Sequence, residues 1–171
     1  LFVGYEHYGK TGSGIYGDVI TEIDDGVGRI LDTLERLKLT ENTVVVFAAD
    51  NGGSLPHGQN NDPWRGGKQD HYDGGLRVPF IARWPGRLPA GKVTDEFLTS
   101  LEIFPTLLAA TGASAEPGVK LDGFDMLPIL SGAQKSPRTE MFWQRRGDKA
   151  AEHTEQRYTH DRDPQRKLDV L

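Results

Sequence analysis

Two oxygen-bearing side chains, Asp50 and Asn51, stand side by side directly before Gly52-Gly53. A carboxylate and an amide carbonyl are hard oxygen donors, the kind of ligand that Ca²⁺ or Mg²⁺ prefers. Neighbouring side chains on a straight strand point to opposite faces, but a turn at the two glycines would let both converge on one cation. An ordinary Asp-Asn-Gly-Gly turn accounts for the same residues, so local sequence leaves both interpretations open.

One cationic side chain, Lys68, ends the segment Arg65-Gly66-Gly67-Lys68. Glycines let the backbone approach a ligand closely, and a lysine ammonium acts as a point charge toward an anion. His57 and His71 lie in the same part of the chain and could donate a hydrogen bond to an anionic substrate. Solvated loop side chains are the alternative interpretation for all three.

These residues belong to a long polar stretch between Ser54 and Asp73 that is rich in Gly, Asn, Asp, Pro and His. A loop of this length within a compact domain is typically functional or disordered. At its end, Gly74-Gly75 could form an anion-binding nest of backbone amides, or only a tight turn. The composition therefore predicts that Lys68 lies in a loop.

Regular elements flank this loop and must position it. Apolar residues at spacings of three and four predict a helix of about six turns over residues 15–37. The β-branched run from Thr43 to Ala49 predicts a strand buried on both faces. Val78 to Trp84 predicts a second strand, with Pro79 at its start or at a sheet edge. The charged residues of the long helix are typical of a solvated face, and we assign them no chemistry: Asp18, Glu22, Asp25, Arg29, Asp32 and Arg36.

Beyond the second strand, the pattern predicts a helix over residues 98–111 that stops at Gly112, a short helix over 124–130 and a strand over 140–144. Helices alternating with strands favour an α/β fold, in which ligands collect at the carboxyl ends of strands.

The composition excludes several classes of protein. With 171 residues, a net charge of −5, and 36% apolar and 26% charged residues, the sequence is typical of one globular domain or a piece of a larger one. No strongly basic region indicates nucleic-acid binding, and no apolar stretch approaches the roughly 18 residues of a membrane span. The absence of cysteine excludes disulfides, thiolate metal sites and a cysteine nucleophile.

The order of the motifs is more specific than any one of them. In order, they are Gly14-Ile15-Tyr16-Gly17-Asp18, Glu22-Ile23-Asp24, Val27-Gly28-Arg29-Ile30-Leu31, Asp50-Asn51-Gly52-Gly53, Arg65-Gly66-Gly67-Lys68, Tyr72-Asp73-Gly74-Gly75-Leu76-Arg77-Val78-Pro79, Ala82-Arg83-Trp84-Pro85-Gly86, Leu121-Asp122-Gly123 and Leu127-Pro128-Ile129-Leu130. With these residues the chain resembles the sulfatases, especially the arylsulfatase branch of the alkaline phosphatase superfamily, over about residues 9–149. The resemblance implies a partial alkaline phosphatase-like α/β fold, a mixed sheet flanked by helices, and hydrolysis of a sulfate ester.

The resemblance also implies roles for single residues. Asp50 and Asn51 would bind the active-site divalent cation, usually Ca²⁺, and Lys68 would be the catalytic residue that binds the sulfate. His57 is a further candidate for substrate binding. The family's nucleophile is a formylglycine made from a Cys/Ser-x-Pro-x-Arg motif, which Ser136-Pro137-Arg138 does not match in spacing or position.

We therefore expect residues upstream of Leu1 to supply the formylglycine and an aspartate pair that completes the metal site. On this interpretation residues 1–144 are the C-terminal part of a sulfatase catalytic domain, inactive alone, and residues 145–171 are a divergent or weakly ordered tail. Asp73 stands where the family usually has Glu. Family members lead us to expect a periplasmic, extracellular or lysosomal protein, although no signal-peptide pattern opens the chain.

Two other functions stay open at this stage. A phosphomonoesterase or phosphodiesterase of the same superfamily would also place metal ligands at strand ends, but with more His and Asp ligands than this loop offers. The chain could instead be a non-catalytic remnant or binding module. The sequence does not indicate which sulfate ester is used, whether aryl, carbohydrate or lipid, or the oligomeric state.

Overall fold

The structure, a computed structural model, describes residues 2–146, 153–159 and 169–170, with side chains for residues 2–143. The chain divides into two compact units, residues 1–86 and 87–171. Among the described residues, no helix combines the length and the apolar character that a membrane crossing requires.

The long helix predicted in the first unit is confirmed as α1, Gly14–Arg36. Arg36 lies in its last turn, where a positive charge interacts favourably with the helix dipole. The apolar stripe is only partly covered within this unit, since Ile23 is 45% and Ile30 58% exposed. A short 3₁₀ turn, Thr40–Asn42, follows the helix.

The predicted solvated face of α1 is wrong for Asp18, which is buried, and for Glu22, which is half-buried, but Asp25 is exposed as predicted. The segment before the helix folds back onto this side of α1. Asp18 is only 2% exposed. One of its oxygens accepts from Gly9 N at 2.8 Å, and the other accepts from Thr11 N at 3.0 Å and Thr11 Oγ1 at 2.8 Å. Two further contacts complete the set: Glu22 accepts from Gly4 N at 2.8 Å, and Asp25 pairs with His7 at 2.7 Å.

The hydrogen bonds at Asp18 make this contact depend on pH. The Thr11 N–H, followed by the Thr11 hydroxyl and the Gly9 N–H, holds the pKa of Asp18 below its ordinary value. A carboxyl with a depressed folded pKa stabilises the structure above its unfolded pKa of about 3.9, and this contribution is lost as the pH falls through the folded value.

Asp18→Asn is therefore expected to weaken hydrogen-exchange protection of the Gly9 and Thr11 amides at neutral pH, because one acceptor oxygen becomes an NH₂ group. Acidification should lower the protection of these amides in the wild type and have little further effect in the variant. Asp24→Asn, at an exposed position of the same helix, is the matched control. Equal protection of Gly9 and Thr11 in wild type and Asp18→Asn at pH 7 would contradict the assignment.

The two strands predicted in this unit are confirmed as β1, Val45–Ala48, and β2, Phe80–Arg83. They pair antiparallel, with Val45 opposite Arg83 and Ala48 opposite Phe80. The prediction that β1 is buried on both faces is wrong: Phe47 is 40% exposed. Among the described strands β1 has one neighbour, β2, so its faces are less covered than those of a central strand.

Between these strands the chain forms a 3₁₀ turn, Leu55–His57, and a short helix, α2, Asp73–Leu76. After β2, the buried Trp84 donates its Nε1–H to the Glu41 carbonyl at 3.0 Å. This bond ties the end of β2 to the turn that precedes β1.

The second unit contains the other predicted helices. A 3₁₀ turn, Ser100–Glu102, leads into α3, Ile103–Thr111, and α4 spans Leu127–Ser131. Both helices end at glycines with positive φ, 71° at Gly112 and 86° at Gly132, where a residue with a side chain would be strained. The apolar core of this unit includes Phe97, Met126 and Ile129.

A fully buried carboxylate, Glu102, organises the second unit. It accepts hydrogen bonds from the backbone N–H and hydroxyl of Thr99, which form a capping box at the start of the 3₁₀ turn. Its other oxygen pairs with Arg138, whose Nε lies 3.1 Å away. The Arg138 guanidinium also donates to the Asp122 carbonyl at 3.2 Å. The charge of Glu102 is thus paired, as a buried charge requires.

A second antiparallel sheet has the order β3-β4-β5, formed by Glu140–Arg146, His153–Thr159 and Asp169–Val170. The predicted strand at 140–144 is confirmed. The predicted divergent or weakly ordered tail, 145–171, stays a prediction, because residues 147–152, 160–168 and 171 lie outside the described residues.

Candidate functional site

Antiparallel pairing of β1 and β2 sets the geometry of the candidate site. It places the carboxyl end of β1 beside the start of β2, so the residues that follow one strand meet those that precede the other. The contact continues past the strands, with Ala49 N donating to Pro79 O at 3.2 Å and Gly52 N donating to Gly75 O at 2.9 Å. The segment that holds Asp50 and Asn51 is thus bonded on both sides to the segment before β2.

Glycine is required where these segments touch. A Cβ on Gly52 would overlap the carbonyl oxygen of Gly74 and lie 2.7 Å from the Cα of Gly75. The obstacles are backbone atoms, which cannot swing aside as a flexible side chain can. Gly52, which the sequence suggested only as a turn residue, therefore lets backbone pack on backbone.

The loop between the strands returns to the same place and delivers Lys68. The Lys68 N–H donates to the Gly53 carbonyl at 2.9 Å, so Lys68 is bonded to the residue two positions after Asn51. The Lys68 side chain is exposed. Among residues 2–143, no ion-pair or hydrogen-bond partner occupies its ammonium. A cation in this state can bind an anionic ligand without first breaking a salt bridge.

Asp50 and Asn51 are the candidate cation ligands. Asp50 is exposed and Asn51 is half-buried. Asn51 donates its side-chain NH₂ to the Gly52 carbonyl at 2.9 Å, which leaves its amide oxygen as the atom for a cation. Within the described part of the chain, no group of three or more His, Cys, Asp or Glu side chains could hold a metal ion. These two residues would therefore form one side of a coordination sphere.

Among residues 2–143, no side-chain hydrogen bond or ion pair joins His57 or His71 to Lys68. His57 is exposed in its 3₁₀ turn, and its Nδ1 lies 2.7 Å from Ser54 Oγ. His71 is half-buried further along the loop. A role for His57 in substrate binding stays a prediction.

The anion-binding nest considered for Gly74-Gly75 is wrong, because both glycines lie in the single helical turn α2. Both amides already have partners: Gly74 N donates to Arg65 O and Gly75 N to Tyr72 O, each at 2.8 Å. An N–H engaged by a carbonyl is not available to an anion.

In the loop that contains Lys68, two arginine side chains stack on aromatic rings. The Arg65 guanidinium lies 3.8 Å from the centroid of the Tyr72 ring, and that of Arg77 lies 4.0 Å from the Trp64 ring. Asp73, the shorter residue in place of the family's usual Glu, pairs with Arg77 at 3.1 Å. Each of the two stacked pairs joins the part of the loop just before Lys68 to the part just before β2. The stacking therefore restricts the path of the residues between these two parts.

Sequence reasoning missed Asn61, which lies in the middle of the loop. Its Oδ1 accepts from Gly53 N at 2.8 Å, and its Nδ2 donates to the carbonyls of Gly53 and Gly66 at 3.0 Å each. Within the described part of the chain, the neighbouring Asn60 makes a local hydrogen bond, accepting from Asp62 N at 2.9 Å. No signal in the sequence distinguishes these two adjacent asparagines.

Two family models match the chain. One, described as "Sulfatase", covers residues 14–113, and the other, "N-sulphoglucosamine sulphohydrolase, C-terminal", covers residues 67–168. The first match includes every candidate site residue.

Similar curated proteins include N-acetylgalactosamine-6-sulfatase of Canis lupus familiaris, 40% identical over 144 residues, covering 82% of this chain and 27% of that protein. Human arylsulfatase A is 41% identical over 145 residues, covering 83% and 28%. The chain therefore spans little more than a quarter of the length of these relatives.

Two solved structures are also similar. The crystal structure of Ps i-CgsB in complex with k-i-k-neocarrahexaose has a TM-score of 0.78 at 31% identity, covering 84% of this chain and 32% of that one. A structure from work on glycosaminoglycan metabolism by Bacteroides thetaiotaomicron has a TM-score of 0.74 at 29% identity, covering 91% and 34%. These matches confirm the α/β fold class predicted from the sequence.

Proposed function

The chain belongs to the sulfatase family, and on that premise we propose that it supplies part of the active site of a sulfuric ester hydrolase of the arylsulfatase type. Asp50 and Asn51 bind one divalent cation, Ca²⁺, and Lys68 binds the sulfate group of the substrate. The formylglycine nucleophile and the remaining metal ligands come from residues outside this chain, which alone does not turn over substrate.

One observation carries this proposal: the Lys68 N–H donates to the Gly53 carbonyl at 2.9 Å. This bond joins the segment that holds the two oxygen donors to the loop that holds the ammonium. A sulfate ester carries negative charge on its non-bridging oxygens, and a hydrolase must stabilise the charge that develops as the ester bond breaks. The oxygen donors can hold a cation, and the lysine carries a positive charge of its own. Because their two segments are hydrogen-bonded to each other, this arrangement suits that requirement.

Asp50 and Asn51 offer the types of oxygen ligand that Ca²⁺ prefers, but fewer ligands than Ca²⁺ requires. Ca²⁺ takes six to eight oxygen ligands, and a carboxylate and an amide carbonyl are two of the common types. When bound, the ion supplies positive charge that polarises the sulfuryl oxygens. The incomplete set agrees with the proposal that further ligands come from outside the chain.

Lys68 contributes the second positive charge. Its exposed ammonium can reach a ligand, and the bond from its own N–H to Gly53 fixes its backbone. A lysine donates up to three hydrogen bonds and carries a compact charge, which suits a tetrahedral anion. Its role is to bind and orient the sulfuryl oxygens while an alcohol leaves.

The proposal is tested with the full-length protein on a matched pair of substrates, an aryl sulfate and an aryl phosphate. We expect hydrolysis of the sulfate to be strongly preferred and to be lost on chelation of Ca²⁺. Preferred hydrolysis of the phosphate would instead support a phosphoesterase of the same superfamily, and hydrolysis of neither would support a non-catalytic role.

Asp50→Asn tests the metal assignment separately, by calorimetric titration with Ca²⁺. The substitution keeps one carbonyl oxygen but removes the negative charge and the second oxygen of the carboxylate, so Ca²⁺ binding should weaken by at least the roughly 10- to 100-fold typical of losing an outer-shell partner. Asp62→Asn, an exposed carboxylate in the neighbouring loop, is the control and should bind Ca²⁺ as the wild type does. Unchanged affinity in Asp50→Asn would remove Asp50 from the metal site.

A further inference from the structure

The side chain of Asn61 connects the two segments that carry the proposed site. Its amide group bonds to both backbone polar groups of Gly53, accepting from the N–H at 2.8 Å and donating to the carbonyl at 3.0 Å. The same NH₂ group donates to the Gly66 carbonyl at 3.0 Å. One half-buried side chain therefore makes three hydrogen bonds to two backbone segments.

The hydrogen-bond partners of Asn61 lie close in sequence to the residues of the proposed site. Gly53 lies two residues after Asn51, and Gly66 lies two residues before Lys68. The Gly53 carbonyl also accepts from Lys68 N, so it is shared between Asn61 and Lys68. A shift of the Asn61 amide would move the segment after β1 and the segment before Lys68 relative to each other.

The neighbouring backbone leaves little room for compensation. A Cβ on Gly67 would lie only 3.0 Å from Asn61 Nδ2, and a Cβ on Gly53 only 2.7 Å from Asn61 Oδ1. The amide is thus packed tightly between glycines, where a side chain of another shape or hydrogen-bonding pattern would not fit without moving one segment.

We infer that Asn61 is a positioning residue: it sets the spacing between the cation-binding oxygens at Asp50 and Asn51 and the sulfate-binding ammonium of Lys68. This inference rests on the proposed function. Asn61 itself touches neither cation nor substrate, and it acts on the reaction through Lys68.

Asn61→Asp is the sharpest test, because it keeps the shape and the acceptor for Gly53 N while replacing the donating NH₂ with an oxygen. That oxygen would face the carbonyls of Gly53 and Gly66 and repel both. Asn61→Ser, which is neutral and too short to make all three bonds, separates displacement from the effect of the new charge. Asn60→Asp introduces the same charge one residue away and is the matched control.

The measurement is a double-mutant cycle on kcat for an aryl sulfate, with each Asn61 variant made in the wild-type and the Lys68→Ala full-length protein. Turnover is expressed per folded molecule, from the amplitude of thermal unfolding. If Asn61 acts through Lys68, Asn61→Asp and Asn61→Ser should each lower kcat about 10- to 100-fold with Lys68 present, the loss typical of an ångström-scale misplacement. With Lys68 removed, they should change kcat by no more than about twofold.

Each result of the double-mutant cycle decides a different point. Equal losses in both backgrounds would overturn the inference, since a purely structural residue acts independently of Lys68. Wild-type kcat in both Asn61 variants would overturn it too, as would an equal loss in Asn60→Asp. A Lys68→Ala protein with unchanged turnover would instead refute the proposed function on which the inference rests.

Discussion

Replacing Lys68 by alanine in the full-length protein is expected to lower kcat for an aryl sulfate by about 10²- to 10³-fold, the range seen when one preorganised group that stabilises developing negative charge is removed. The ammonium is exposed, and within the described residues it has no competing carboxylate. On the proposed function, its charge would stabilise the sulfuryl oxygens in the transition state, and no other lysine lies in the loop between β1 and β2.

Steady-state kinetics with saturating Ca²⁺ would measure this effect. Lys10→Ala, which removes an exposed lysine near α1, should leave kcat unchanged and controls for the loss of one surface charge. Calcium affinity in Lys68→Ala should stay close to that of the wild type, because a lysine ammonium has no acceptor atom to offer a cation. A Lys68→Ala protein with near-normal turnover would refute the assignment of Lys68 to the sulfate.

Gly52→Ala is expected to have the largest effect on stability and to disrupt the candidate site at the same time. Its new Cβ would overlap the Gly74 carbonyl oxygen and approach the Gly75 Cα to 2.7 Å. Relief requires the two backbone segments to separate, which breaks the bond from Gly52 N to Gly75 O. The cost should reach or exceed the roughly 1–3 kcal/mol of ordinary overpacking, because the obstacles are backbone atoms.

Chemical denaturation and the aryl sulfate assay would both report this change. Gly26→Ala is the control, since a Cβ at Gly26 in α1 meets no atom within 4 Å. In a helix interior that substitution should be neutral or stabilising by up to about 1 kcal/mol. Equal stability of Gly52→Ala and wild type would show that the two segments do not pack as closely as the structure has them.

The helices and strands were predictable because their signals are local. The spacing of apolar residues marked α1, the β-branched run from Thr43 to Ala49 marked β1, and the short segment from Val78 to Trp84 marked β2, each to within a few residues. The end of α3 at Gly112 was also predictable, since a glycine with positive φ is the common stop of a helix. Each of these features depends on residues that are close in sequence, within one helical turn or one strand.

The exposure of an element was not predictable in the same way. β1 is apolar on both faces and reads as a buried strand, yet Phe47 is 40% exposed. The acidic side of α1 reads as a solvated face, yet Asp18 is buried against Gly9 and Thr11. Burial depends on which other segment covers a residue, and periodicity carries no information on that segment.

The sequence by itself determined the order of the elements, the family resemblance and the residue types offered for a cation and an anion at Asp50, Asn51 and Lys68. Only the tertiary structure decided that the loop closes with Lys68 N on the Gly53 carbonyl, and that Asn61, rather than its neighbour Asn60, bridges the two segments. The physical reason is that these hydrogen bonds join residues 5 to 15 positions apart in an irregular loop. Their partners are selected by how backbone packs on backbone at the glycines, which residue type alone does not reveal.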